Sequence, residues 1–199
     1  PKIYWDLTTK QVLTLEWIDG TPLNNQEDLT AKNINQKLIA KNLSIAFLIQ
    51  VCSKGFFHAD IHPGNIIVLE NNKLALLDFG IVCSLDNELK YFVTEVVHAF
   101  LTKDYKKVTE IHFKHNIIKD TAKEHEFELA CISIGEMIVG KNSSDICLSK
   151  LMLYLLEVGR KFSLQIKPEL LLLHKTILTV EGVGRFIDPE INMWKLATP

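Results

Sequence analysis

Several familiar chemistries are missing from this sequence. Its four cysteines, Cys52, Cys83, Cys131 and Cys147, are widely spaced and form no C-x-x-C pair, so no zinc-ligand spacing is present. Free thiols in a reducing compartment are expected rather than two disulfides. No apolar run reaches the roughly 18 residues needed to cross a bilayer. The chain opens on Pro1 with no signal-peptide pattern, and it reads as a piece of something longer. Neither charge sign dominates: 22 Lys and Arg stand against 24 Asp and Glu, a formal charge of −2. That balance gives no basic footprint for nucleic acid. Repeats and low-complexity tracts are also lacking.

What is present is 199 residues, 47% hydrophobic and 23% charged. This is enough for one globular domain with a sizeable core. The mean hydropathy of +0.11 is high for a soluble domain. It hints that some apolar surface meets a partner or a membrane, although a large core gives the same value.

Two short β-rich segments, 2–7 and 11–18, come first, and the turn residues Asp19-Gly20-Thr21-Pro22 follow. Residues 24–33 are polar. A helical pattern runs over 34–54, apolar nearly all round in its second half, and Gly55 is placed to stop it. After a loop over 58–64, the apolar runs 66–69 and 74–77 flank Glu70-Asn71-Asn72-Lys73 and read as a hairpin. Beyond Gly80 everything reads as helix, with apolar stripes at Leu85, Leu89, Phe92, Val93, Val96 and Phe100, then at Phe127, Ala130, Cys131, Ile134 and Met137. Two more stripes follow, at Leu148, Leu151, Met152, Leu155 and Phe162, and at Leu170, Leu173, Ile177 and Val180 after a Pro168 helix start. The expected fold class is α+β, mostly α.

The chemistry lies around the hairpin. The chain reads His58-Ala59-Asp60, four residues, Asn65, and later Asp78-Phe79-Gly80. Protein kinases carry H-R-D-x-x-x-x-N and then D-F-G in this order. Asp60 is then the catalytic carboxylate, and Asn65 and Asp78 hold Mg²⁺ against the phosphates of ATP. A two-residue Asn71-Asn72 loop would pair Glu70 with Lys73 and set Asn65 directly opposite Asp78, with Cβ atoms about 5 Å apart. A three-residue loop would shift this register by one. Gly80 is expected to let the backbone turn away. His58 is expected to brace the loop. His62 stands where protein kinases put a Lys that contacts phosphate or substrate, so a phosphate-facing role is expected for it.

Two features depart from protein kinases. Ala59 replaces the Arg that pairs with a phosphorylated activation loop. No Ala-Pro-Glu follows Asp78-Phe79-Gly80, and Ser84 is placed to cap a helix almost at once. Little room remains for a peptide-binding segment, so the expected substrate is not a protein side chain.

These residues resemble the UbiB family of atypical kinases, linked to ubiquinone biosynthesis. The likeness covers essentially the whole chain: residues 13–20, the loop from Gly55 to Asn65 (with Ile61 where Pro or Met is usual), Leu76 to Gly80, and a C-terminal signature at 181–189. Within that signature Glu181 and Arg185 form an i, i+4 pair, and Gly182 and Gly184 would permit close helix contact. The resemblance implies the C-terminal lobe of a kinase-like fold, with residues 1–20 as the end of the N-lobe sheet and hinge and 21–199 as the lobe itself. It implies ATP and Mg²⁺ as cofactors and adenine contacts from Glu16, Trp17 and Ile18. Its implied partners are quinone-precursor lipids or the ubiquinone biosynthetic complex. The implied location is membrane-associated, at the cytoplasmic face of a bacterial inner membrane or at the mitochondrial inner membrane. The 199 residues alone are expected to show no measurable ATPase and weak nucleotide affinity. Two other readings stand beside this one. A small-molecule phosphotransferase of the aminoglycoside or choline kinase type is the first, and a non-catalytic kinase-like regulatory module is the second.

Overall fold

The computed structural model describes residues 1–118, 120, 123–139, 148–162 and 166–197. Elements in chain order are β1 (Thr21–Pro22), α1 (Gln26–Ala31), α2 (Gln36–Leu48), a π-helical turn (Ile49–Lys54), β2 (Phe56–His58), β3 (Ile66–Val68), β4 (Leu74–Leu76) and β5 (Val82–Ser84). Helices α3 (Asn87–Leu101), α4 (Tyr105–Lys114), α5 (Glu124–Val139), α6 (Leu148–Lys161), α7 (Pro168–Ile187) and α8 (Met193–Ala197) complete the fold. It is mostly helical with small antiparallel sheets, as expected.

Local chemistry sets most helix starts. The side chains of Asn25, Asn35, Asp86 and Asp104 each accept a hydrogen bond from a first-turn N–H of α1, α2, α3 and α4, satisfying donors that have no partner within the helix. Pro168 occupies the first turn of α7. Gly55 ends the π-helical turn in the left-handed region at φ 63°, where only glycine sits without strain. The apolar stripes are the core: Leu89, Phe92, Val96 and Phe100 of α3, Phe127, Cys131 and Ile134 of α5, and Leu173, Ile177 and Val180 of α7 are buried. Phe47 of α2 meets Phe57 of β2 edge-on, with ring centroids 6.2 Å apart. Each such buried ring contributes about 1.5–3 kcal/mol. The side chains of Met137, Leu148, Leu151, Met152 and Leu155 lie outside the described residues, as does Cys147. Cys52, Cys83 and Cys131 are free thiols.

Several expectations need correction. Within the polar stretch 24–33, α1 forms and buries Leu29. Thr21–Pro22 is not simply a turn: it pairs antiparallel with Ile67 and Val68, with proline tolerated at the edge of the sheet. Gly20 is needed there, because a Cβ would sit 2.5 Å from the Val68 carbonyl oxygen. The chain beyond Gly80 is not all helical, because β5 pairs with β2. Ser84 lies in β5, and Asp86 caps α3 instead. Residues 2–18 hold a single antiparallel bridge, Ile3 with Leu15, and Trp5–Leu7 is a 3₁₀ turn. This region leaves Trp5, Leu7, Leu13 and Trp17 exposed.

The hairpin register also differs. Ile66 pairs with Leu76, Ile67 with Ala75 and Val68 with Leu74, and Leu69 N–H donates to Lys73. The loop is therefore the three residues Glu70–Asn72, and Asn65 stands opposite Leu77, not Asp78. Asn71 and Asn72 do adopt left-handed backbone, at φ 60° and 58°. What adds the third residue is tertiary. Asn72 Oδ1 accepts from Asn35 N–H, and its carbonyl accepts from Asn42 Nδ2, so α2 holds residue 72 out of the ladder.

Candidate active site

Strand order places the site. β2 pairs with β5, and β3 pairs with β4 between them in sequence. The two pairings are nested, so the segments joining them face each other. Pairing runs outward along β3 and β4 to Asn65, whose carbonyl accepts from Leu77 N–H at 2.8 Å. It resumes where Ala59 N–H donates to Ile81 at 3.0 Å and His58 pairs with Val82. Between those closures lie residues 60–64 on one side and 78–80 on the other. Asp60 and Asp78 are brought to one opening by this topology and not by a cross-strand pair.

His58 spans the opening. Its ring is buried; Nε2 donates to the Leu77 carbonyl at 2.8 Å and Nδ1 accepts from Asp60 N–H at 3.1 Å. A carbonyl can only accept and an amide N–H can only donate, which assigns the ring hydrogen to Nε2. The ring also packs against Phe79, centroids 4.9 Å apart. His58 N–H itself donates to Gln50 Oε1 of the π-helical turn at 2.9 Å.

Asn65 Nδ2 donates to the Asp60 carbonyl at 3.2 Å. With its nitrogen engaged, Oδ1 remains as an oxygen donor for a cation. Asp78 has left-handed backbone, φ 52°, and its Oδ1 accepts from Gly80 N–H at 3.2 Å. The left-handed turn sits at Asp78 itself, whereas Gly80 is not in that region. What Gly80 provides is proximity, since a Cβ there would lie 3.0 Å from Asp78 Oδ1. This turn also takes Asp78 out of the strand alternation that ends at Leu77.

The Asp60 side chain is 36% exposed and sits between two nitrogens: His62 Nε2 is 3.9 Å from Oδ2, and Lys175 Nζ is 3.8 Å from Oδ1. His62 Nδ1 accepts from Gly64 N–H at 3.1 Å, so the ring folds over its own loop. Lys175 and its neighbour Thr176 come from α7. Thr176 is buried, and its one hydroxyl hydrogen is shared between the Leu172 carbonyl at 2.8 Å and the Ala59 carbonyl at 3.3 Å. Ala59 is buried under this helix, which leaves no place for the arginine of protein kinases. Gln50, Lys175 and Thr176 are absent from the sequence-derived set. Thr176 did carry a signal: it is a polar residue on the face of Leu173, Ile177 and Val180.

Glu16, Trp17 and Ile18 lie in the exposed N-terminal segment. Glu16 N–H is engaged by the Lys2 carbonyl, and Trp17 Nε1 donates to Asp19 at 3.0 Å. At the other end of the chain, Arg185 Nη2 donates to the buried Glu181 at 3.2 Å. Of the two nearby glycines, the buried Gly184 faces Ile191 and Ser44 of α2, whereas Gly182 makes no such contact. Nothing lies within 4 Å of a Cβ on Gly182, and one on Gly184 would make ordinary contact with Ile191 at 3.4 Å.

No group of three or more His, Cys, Asp or Glu side chains is gathered for a metal among the described residues. Two oxygen donors, Asn65 Oδ1 and Asp78 Oδ2, remain. That donor set suits Mg²⁺, which binds through one or two protein oxygens and completes its shell with phosphate and water.

Asp60, Asn65 and Asp78 lie on two facing loops in the order of the kinase motif. The ABC1 atypical kinase-like domain model matches residues 1–112, and the chain belongs to that family. The UbiB helical domain model matches residues 131–192. Relatives named "Probable protein kinase UbiB" from Photorhabdus laumondii and from Klebsiella pneumoniae are each 37% identical over 203 residues, covering all of this chain. The chain spans 37% of the length of these relatives. This family assignment sets aside the likeness to aminoglycoside and choline kinases.

Proposed function

We propose that this chain is the catalytic lobe of a UbiB-like atypical kinase or ATPase that uses Mg²⁺ and ATP and supports ubiquinone biosynthesis at a membrane. The observation that carries this reading is the nested ribbon that opens around His58, setting Asp60 against the Asp78 turn. In this reading Asp60 orients and deprotonates the attacking hydroxyl or water. Asn65 and Asp78 would hold Mg²⁺, which would neutralise phosphate charge. His58, His62 and Gly80 contact phosphate or keep the loops in place. Trp17 and Ile18 offer backbone groups to adenine, with Glu16 N–H already engaged. Residues 1–20 serve as the end of the N-lobe sheet and the hinge, and residues 21–199 as the lobe.

The partners in this reading are quinone-precursor lipids or the ubiquinone biosynthetic complex. The setting is the cytoplasmic face of a bacterial inner membrane or the mitochondrial inner membrane. No described helix is long and apolar enough to cross a membrane. Residues 81–86 are all that separates Gly80 from α3, which supports a small acceptor or water over a bound peptide.

The test is Mg²⁺-dependent ATP turnover by the natural full-length protein. Asp78→Asn should abolish it, and a variant that turns over ATP like the unaltered protein would refute the reading.

A further inference from the structure

We propose that Lys175 is a catalytic residue: α7 supplies the ammonium that protein kinases carry on the catalytic loop two residues after the aspartate. The inference rests on the Mg·ATP reading above and extends it to a residue outside the motifs.

Position 62, where that lysine would stand, is a histidine whose Nδ1 is engaged by Gly64 N–H. Lys175 Nζ reaches the same carboxylate from the other side, 3.8 Å from Asp60 Oδ1. Its backbone is not free to drift, because Thr176, the next residue, is buried and bonded to the Ala59 carbonyl. Helix α7 is therefore fastened to the catalytic loop one residue away from each partner. Among the described ion pairs, this is the only one joining a Lys or Arg to Asp60, Asn65 or Asp78.

As a structural contact the pair does little. Lys175 is 59% exposed and Asp60 36% exposed, and such pairs add little to stability. As chemistry it is well placed. During transfer the bond from the terminal phosphorus to the bridging oxygen breaks, and its electron pair leaves on ADP. A bond forms from the nucleophile oxygen to phosphorus, and the nucleophile's proton passes to Asp60. Charge spreads over the three equatorial oxygens of the transferring group. A cation carried beside Asp60 by an anchored helix stabilises that charge more than it stabilises bound ATP.

The experiment compares Lys175→Met and Lys175→Arg in the full-length protein by steady-state kinetics and by binding of Mg·ADP with aluminium fluoride, a mimic of the transferring phosphoryl group. Lys175→Met should lower kcat by about 100-fold or more, with KM for ATP changed less than about twofold. Affinity for the aluminium fluoride complex should fall by a similar factor, while Mg·ADP alone binds as before. Lys175→Arg should recover part of both losses. The melting temperature should not move, which separates this role from a structural one.

If Lys175→Met keeps normal kcat while Asp78→Asn abolishes turnover, the lysine is a surface ion pair and this inference falls alone. A raised KM with unchanged kcat also overturns it, as does lost kcat with intact aluminium fluoride binding. Absence of any Asp78-dependent turnover overturns both this inference and the functional reading beneath it.

Discussion

His58 donates to the carbonyl of Leu77 at 2.8 Å, and so ties the loop over residues 58–64 to the residue preceding Asp78. The same ring accepts from Asp60 N–H. One buried side chain thereby sets the distance between the loop that carries the proposed base and the loop that carries the proposed metal ligand. His58→Ala would remove both bonds and leave a void against Phe79. A loss of about 2–4 kcal/mol is expected from the cavity and the unpaired groups. Denaturant midpoints measure it. Misplacement of both loops should also lower turnover by about 100-fold, and a variant that melts early but turns over ATP normally would contradict the bracing role.

The metal assignment predicts a specific defect at Asn65. Asn65→Ala removes Oδ1 and also the bond from Nδ2 to the Asp60 carbonyl. The Mg²⁺ concentration for half-maximal turnover should rise on the order of 10-fold or more. Titrating Mg²⁺ at fixed ATP reads this directly, and an unchanged Mg²⁺ curve would remove Asn65 from the ligand set.

Two helix glycines should respond with opposite sign. A Cβ at Gly135 in α5 would overlap the ring of Tyr105, so Gly135→Ala should cost about 1–3 kcal/mol. Nothing lies near a Cβ at Gly182 in α7, so Gly182→Ala should stabilise by about 0.5–1 kcal/mol through the helix preference of alanine alone. Equilibrium unfolding of the two variants side by side tests the pair.

His112 predicts a pH dependence. Burial, set against a hydrogen bond from Nδ1 to the Val108 carbonyl and joined by the nearby His115, brings its pKa down to about 4 from 6.5. The native ring stays uncharged while the unfolded ring takes a proton below about 6.5. The unfolded state therefore binds more protons between pH 6.5 and 4, and stability falls as pH drops through that window. The share due to this ring is about 3 kcal/mol, complete near pH 4. His112 packs between Phe92 and Phe127, with centroids 5.1 and 5.0 Å away, so phenylalanine fits its place. The difference in unfolding free energy between the natural protein and His112→Phe should shrink or reverse on acidification, and parallel curves would refute this.

The sequence by itself determined what neighbouring residues decide. Side-chain caps, Pro168, the left-handed Gly55 and the alternation of apolar residues act within a few positions, and so does the spacing from Asp60 to Asn65. The kinase-like motif was legible for this reason. Tertiary structure decided what distant segments settle. The β2–β5 pairing, which brings the two loops together, joins strands with an entire hairpin between them. The hairpin register depends on α2 holding Asn72, a contact that no local propensity encodes. Lys175 reaches Asp60 across more than a hundred residues of chain. Periodicity puts Lys175 on a helix, but only the packing of α7 against Ala59 turns it toward the carboxylate.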